Sequence, residues 1–212
     1  MNVLGIDIGG TKIAARIVTE SLETLAEHIA PTPDAAKPPA LHAAPDKDAA
    51  LSAGRRALLD SVIDLCRTLD YRGYGVDQVG IGTAGQVDPV RGVILDANEN
   101  LIGWKGAAVA DEVGGALGVA VYVDNDVRTM ALAESTLGAG RGYRHALYLT
   151  VGTGIGGAVM LDGRLWRGAH YSAGEIGYLF GAMGDDGQAR SIEQLYAGAA
   201  VEQRAFEGAF TL

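Results

Sequence analysis

Asn2-Val3-Leu4-Gly5-Ile6-Asp7-Ile8-Gly9-Gly10-Thr11-Lys12-Ile13-Ala14-Ala15-Arg16-Ile17-Val18-Thr19 is the stretch that decides the architecture. Residues 2–8 read as a buried strand, Gly9-Gly10-Thr11 as a turn, and 12–19 as a second β-rich run, so the chain opens on a hairpin. Glycines at such a turn let the backbone come close to phosphate oxygens and aim N–H donors at them. Thr11 adds a hydroxyl and Lys12 a point charge. Asp7, at the end of the first strand, has two readings. Beside such a turn a carboxylate suits a hydrated Mg²⁺. It suits a turn-capping role equally well.

A related pattern returns at Leu149-Thr150-Val151-Gly152-Thr153-Gly154-Ile155-Gly156-Gly157-Ala158. The two turns start at Gly9 and Gly152, 152 − 9 = 143 residues apart. This spacing predicts two related lobes, each presenting a glycine hairpin turn, and two such turns can converge on one polyphosphate. Two unrelated β-turns are the plainer alternative. The second turn contains GxGxxG, but Ala158-Val159-Met160-Leu161 after it is β-rich. A dinucleotide-binding reading needs a helix there, so it is set aside.

Between and around the hairpins, residues 22–30 read as a third strand. Five of the six prolines fall in 31–45, which predicts a mobile surface loop. From Asp46 to Leu69 the spacing of Leu51, Leu58, Leu59, Val62, Leu65, Cys66 and Leu69 is helical. A strand is expected over 79–82, a hairpin around Pro89–Gly92, a helix over 106–117 and a strand over 119–123. Asp124-Asn125-Asp126 then leads a helix over 127–137. Strands follow at 146–151 and 158–161, with Asp162-Gly163 as a hairpin turn. Residues 168–187 are loop-rich and 191–207 helical. The alternation makes an α/β fold with a mixed sheet in each of two lobes, 1–118 and 119–212.

The 212 residues suffice for one ordinary domain or two small ones. With 48% apolar and 20% charged residues the chain folds rather than staying disordered. A net charge of −9 argues against nucleic-acid or anionic-membrane binding. Small anions remain open, because backbone amides can hold phosphate. Glycine, 31 residues, is used about twice as often as average, which calls for tight turns or close backbone approaches. Cys66 is the single cysteine and reads as a buried thiol, so no internal disulfide or cysteine-rich zinc site is expected. No secretory signal and no apolar run of membrane-spanning length is visible, which makes a cytoplasmic protein the expectation.

Two acidic clusters carry further readings. Asp124-Asn125-Asp126 lies beyond a buried strand, where α/β ligand sites gather; a carboxylate there can take a proton from an attacking hydroxyl, and Asn125 can hold a neighbouring hydroxyl. A helix N-cap cluster is the alternative for Asp124-Asn125-Asp126. Glu175, in a glycine-rich loop with Glu193 downstream, suits a hydroxyl-rich ligand, since carboxylates accept O–H bonds in pairs. A solvated loop acid is the alternative. The four histidines show no metal-ligand spacing.

Taken in order, these segments resemble the ROK family of sugar kinases. The markers are Asp7 to Ala15, Gly82-Thr83-Ala84-Gly85-Gln86-Val87-Asp88, Asn100-Leu101-Ile102-Gly103-Trp104, Asn125-Asp126 leading to Ala131-Leu132-Ala133-Glu134, Thr150 to Gly157, and Ser172 to Gly177. The resemblance implies an actin-like, ribonuclease-H-like two-lobed fold with ATP and sugar in the cleft. It implies a glucokinase-like reaction, transfer of phosphate to a hexose, usually at the 6-hydroxyl. Asp126 would then be the general base. Gly85, Gln86, Asn100, Asn125, Glu175, Tyr178 and Glu193 would meet the sugar. Asp7, Gly9, Gly10, Thr11 and Lys12 would form the first phosphate segment, with Asp7 reaching Mg²⁺ through water. Gly152, Thr153 and Gly154 would form the second. Family members form dimers or tetramers, so a homo-oligomer is implied.

The departures shape the expectation. The family commonly has a zinc-ligating histidine where Tyr178 stands, and a short cysteine-rich motif before the position of Glu193. Here 184–193 holds no cysteine, so no zinc is expected and the choice of sugar stays open. Ala84 replaces a usual proline. Family chains continue well past the position of Leu212, so the second lobe and the adenosine pocket are expected to be incomplete. A non-catalytic sugar-binding remnant is therefore the alternative to a kinase. A family transcriptional repressor is a third reading. It needs a DNA-binding helix pair ahead of Asp7, for which six residues leave no room.

Overall fold

The computed structural model describes residues 1–38, 45–97, 100–184, 186–198 and 200–202. Two compact units divide after Asp126, Met1–Asp126 and Val127–Leu212. The sequence reading placed that division after residue 118. The intervening strand joins the first unit's sheet.

In the first unit, β1 (Asn2–Ile8), β2 (Lys12–Thr19) and β3 (Thr24–Pro31) form an antiparallel meander. Leu4, Ile6 and Ile8 are buried while Gly5 and Asp7 face outward, the period of two that a one-sided sheet requires. α1 (Lys47–Thr68) carries the chain across to β4 (Val76–Thr83), which lies parallel to β1. A β-hairpin, β5 (Gln86–Asp88) and β6 (Val93–Asp96), and the helix α2 (Val109–Leu117) lead to β7 (Ala120–Asn125), parallel to β4. The sheet order is β3-β2-β1-β4-β7. Parallel neighbours need such crossovers, and they leave the strands' C-terminal ends on one edge.

Asp46 caps α1, its Oδ1 accepting from the Ala49 N–H at 3.1 Å. Leu58, Leu59, Val62, Leu65 and Cys66 of α1 are buried and belong to one core with Leu4, Ile6, Ile17, Val79 and Ile81 of the sheet. Burial pushes the Cys66 thiol up to about 12 and outweighs the lowering pull of the Arg67 charge, so it is an inert core residue. α2 closes on Gly118, left-handed at φ 73°, and the Tyr71 hydroxyl donates to the Leu117 carbonyl at 2.6 Å.

Two elements depart from the expected bounds for visible reasons. Residues 106–108 stay outside α2 because Gly106, at φ 78°, donates to the Ile94 carbonyl and ties the chain to β6. The proline-rich stretch is not all surface. Thr32 and Ala36 are buried, and the Ala36 carbonyl accepts from the Ile102 N–H. Residues 39–44 of that stretch lie outside the described residues.

In the second unit α3 (Asp126–Thr136), which begins at the last residue of the first, precedes a three-stranded antiparallel sheet. Its strands are β8 (Ala146–Val151), β9 (Ile155–Leu161) and β10 (Arg164–Trp166). β9 starts three residues earlier than expected. Gly156 and Gly157 are strand residues because neighbours approach their backbone: a Cβ on Gly157 would overlap the Gly174 carbonyl oxygen. Asp162 and Gly163 both have positive φ, the type I′ geometry of a two-residue hairpin. β11 (Phe180–Met183) and β12 (Ala189–Ser191) form a separate ribbon. Ser191 then opens α4 (Ile192–Tyr196) with a capping box to Gln194. The helix expected over 191–207 breaks at Ala197, which is extended; residues 203–207 lie outside the described residues.

Candidate functional site

In the first unit Ile8, Thr83 and Asn125 occupy one row at the C-terminal ends of the three parallel strands. The Gly9-Gly10-Thr11 turn, the Gly85 loop and Asp126 each follow one of these ends, the edge where open α/β sheets gather ligands. The turn is closed by the Gly9 N–H donating to the Lys12 carbonyl at 3.0 Å. Asn100 lies against Gly10, where an added Cβ would stand 3.2 Å from its own. Gly85 needs its missing side chain twice over, with φ at 107° and a Cβ position 2.6 Å from the Asp96 carbonyl. Gln86 follows it as the first residue of β5.

Asn125, buried, joins two of these parts. Its Nδ2 donates to the Gly85 carbonyl at 3.1 Å and to Asp126 Oδ1 at 2.9 Å. The carboxylate of Asp126 is thus oriented by its neighbour at the first position of α3, where the helix dipole favours negative charge. Trp104, fully buried, donates Nε1–H to Thr83 Oγ1 at 2.9 Å beneath the same edge.

Asp7 has its carboxyl pushed above the usual range, first by partial burial and then by the negative charge of Asp126, with Lys12 working the other way. An acid whose folded pKa is raised binds more protons folded than unfolded, so stability falls as pH rises past the unfolded value. Asp7→Asn is therefore expected to raise the melting temperature at pH 7, and the gain is expected to vanish below about pH 4, where both states are protonated. Thermal melts across pH 3–8 check this; a constant offset would contradict it.

In the second unit β8 and β9 meet at Gly152-Thr153-Gly154, with Val151 opposite Ile155. This loop is one residue shorter than the first hairpin, where Ile8 opposes Ile13. A strand follows it, which excludes the dinucleotide fingerprint. Glu193 Oε2 accepts from the Ile155 N–H at 2.8 Å, and Gly198 donates to the Gly152 carbonyl at 2.7 Å, so α4 and the chain after it brace the turn. The Glu175 loop lies on β9, since Cβ atoms on Gly174 or Gly177 would collide with the carbonyls of Gly157 or Ile155. Tyr178, 71% exposed, ends a short 3-10 turn that starts at Ile176.

Sequence reading missed two residues. Arg128, 1% exposed, donates to the Tyr171 carbonyl, and its guanidinium lies 3.9 Å from Glu175. A cation in a helix's first turn opposes the dipole, and this carboxylate and carbonyl offset that cost. Tyr171 is held at φ 56°, uncommon for a non-glycine residue. Thr32 is the other, buried under the first turn. Among the described residues no group of three His, Cys, Asp or Glu side chains is placed to hold a metal ion, and no helix is long and apolar enough to cross a membrane.

The ROK family profile matches residues 3–208. A glucokinase of Streptomyces coelicolor is 31% identical over 176 residues, 83% of this chain and 49% of its own length. An N-acetyl-D-glucosamine kinase of Photobacterium profundum is 30% identical over 174 residues, 82% of this chain and 51% of its own. The crystal structure of a ROK family glucokinase from Streptomyces griseus in complex with glucose and AMPPNP matches with a TM-score of 0.75 at 30% identity, over 99% of this chain and 61% of that one. The chain spans about half the length of these curated relatives. Its α/β architecture is the actin-like ATPase fold of the solved ROK sugar kinases. A sequence match running almost from end to end, on a fold shared with solved members, makes this chain a member of the ROK family.

Proposed function

We propose that the protein transfers the terminal phosphoryl group of ATP to a hexose or hexose derivative, at its 6-hydroxyl. One observation carries the reading. The glycine turn and the carboxylate of Asp126 follow the same ends of β1 and β7, the two strands that flank β4 in one sheet, and the Asp126 charge adds to burial in raising the Asp7 pKa.

In this reading Gly9, Gly10, Thr11 and Lys12 hold the phosphates through backbone N–H groups and one ammonium. Gly152, Thr153 and Gly154 are the second phosphate segment. Asn100 and Asn125 fix the sugar hydroxyls, with Gly85, Gln86, Glu175, Tyr178 and Glu193 as further sugar contacts. The Asp126 carboxylate accepts the hydroxyl proton as that oxygen bonds to the γ-phosphorus and the bond to ADP breaks. Positioning and charge neutralisation supply most of the rate, since such a transfer asks little covalent chemistry of the protein. Asp7 suits Mg²⁺, which takes one or two carboxylates together with waters and phosphate oxygens, and a cation there would relieve the repulsion from Asp126. Bound, the ion neutralises charge on the phosphates. Zinc has no part in the reading. A cytoplasmic homo-oligomer, dimer or tetramer, is the assembly it implies.

A coupled assay of ADP release over a panel of hexoses, N-acetylhexosamines and glycosides tests the proposal. At least one sugar is expected to raise ADP release well above the sugar-free rate. Sugar binding by calorimetry with neither ATP binding nor ADP release would favour a non-catalytic sugar-binding protein instead. A chain that binds neither ligand would end the proposal.

A further inference from the structure

Thr32 comes directly after β3 and is 1% exposed. Its backbone N–H donates to the Thr11 carbonyl at 3.0 Å, and its Oγ1 hydroxyl donates to the Gly9 carbonyl at 2.7 Å. One residue therefore takes up carbonyls on both sides of Gly10. A trans peptide is planar, so a carbonyl and the N–H of the next residue point in opposite directions. With the Gly9 carbonyl turned to Thr32, the Gly10 N–H is directed away from it. With the Thr11 carbonyl turned the same way, so is the Lys12 N–H. The Gly10 N–H donates to no group among the described residues. On the other flank the Gly9 N–H is already used by the Lys12 carbonyl.

A glycine turn on its own has no preferred facing, because Gly9 and Gly10 give the backbone access to both hands. Left free, either peptide can rotate and present a carbonyl, which repels an anion, in place of an N–H. We infer that Thr32 is a positioning residue whose hydroxyl sets the facing of the Gly9–Lys12 turn, so that N–H donors meet the phosphates of the nucleotide. This rests on the reading of that turn as a phosphate site. The role is one of orientation: Thr32 sits behind the turn and touches no ligand.

The test uses Thr32→Val, which keeps the shape and the backbone N–H and removes only the hydroxyl donor. Thr32→Ser is the conservative rescue. Each protein is titrated by calorimetry with magnesium AMPPNP and, separately, with the best sugar of the panel. The amide signals of residues 9–12 are followed by NMR without ligand. Thr32→Val is expected to weaken nucleotide binding about tenfold, the scale of one hydrogen bond that orients a site. Sugar affinity is expected to stay within about twofold, Thr32→Ser to bind nucleotide nearly as the parent does, and the residue 9–12 amides of Thr32→Val to shift and exchange faster. Unchanged nucleotide affinity, or an equal loss for both ligands, would overturn the inference. If the parent protein binds no nucleotide, the phosphate reading of the turn falls. The ligand-free amide signals still decide whether the hydroxyl orders the turn, and unchanged signals in Thr32→Val would overturn that too. Should Thr32→Val not fold, Thr32→Ala carries the same expectations.

Discussion

Asp126→Asn is expected to slow sugar-dependent ADP release by about 10²–10⁴-fold, the range a positioned general base contributes. Asparagine is nearly isosteric and can still take the bond from Asn125 Nδ2, which in the parent reaches Asp126 Oδ1 at 2.9 Å. The tie from Asn125 to the Gly85 carbonyl is also kept. Sugar affinity should therefore change little, and the loss should fall on kcat. What disappears is the group that accepts the hydroxyl proton. The substitution also removes the Asp126 charge, which adds to burial in raising the Asp7 pKa, so the Asp7 titration should move down. Steady-state kinetics with the best sugar, beside calorimetric sugar binding, checks both parts. Undiminished turnover would show that another group takes the proton.

Gly103→Ala is expected to cost the first unit at least about 3 kcal/mol. Two penalties add. Gly103 sits at φ 76°, where an L side chain is strained, and a Cβ there would overlap the Leu51 carbonyl oxygen and approach the Arg55 nitrogen at 3.0 Å. These are backbone atoms of α1 and cannot swing aside. The 101–104 segment, whose Trp104 supports Thr83 and which follows Asn100, is seated on α1 by this contact. Gly115→Ala is the control. That glycine lies within α2 with open space around its Cβ, and alanine there should stabilise by about 0.5–1 kcal/mol. Urea denaturation of the three proteins reads both effects. Equal stability of Gly103→Ala and the parent would show that the segment is not seated as described.

Much of this was legible in the sequence because it is local. The alternation of Leu4, Ile6 and Ile8 with Gly5 and Asp7 fixes a one-sided strand, and Gly9-Gly10-Thr11 can hardly be other than its turn. The position of Asp126 after a buried strand placed it at a sheet end without coordinates. What stayed hidden depends on contacts distant in sequence. Thr32 falls in a proline-rich run that reads as solvent-facing, yet it is buried because β3 delivers it beneath a turn some twenty residues earlier. Arg128 carries no signal within its own helix; only the return of the chain at Tyr171 and Glu175 supplies its partners. Gly157, Gly174 and Gly177 announce close approach but not to what, and the structure supplies the partners. Glu193, read as a sugar acid, is seen spending one carboxylate oxygen on the Ile155 N–H, which the sequence had no means to show.

The most direct measurement is an amide NMR titration of the isotopically labelled chain with magnesium AMPPNP. Gly10 and Thr11 are expected to show the largest shifts in the first unit, with Lys12 and Asp7 following, while Gly115 on the far helix stays fixed. Saturating nucleotide that leaves the residue 9–12 amides unmoved would contradict the claim that this turn grips phosphate.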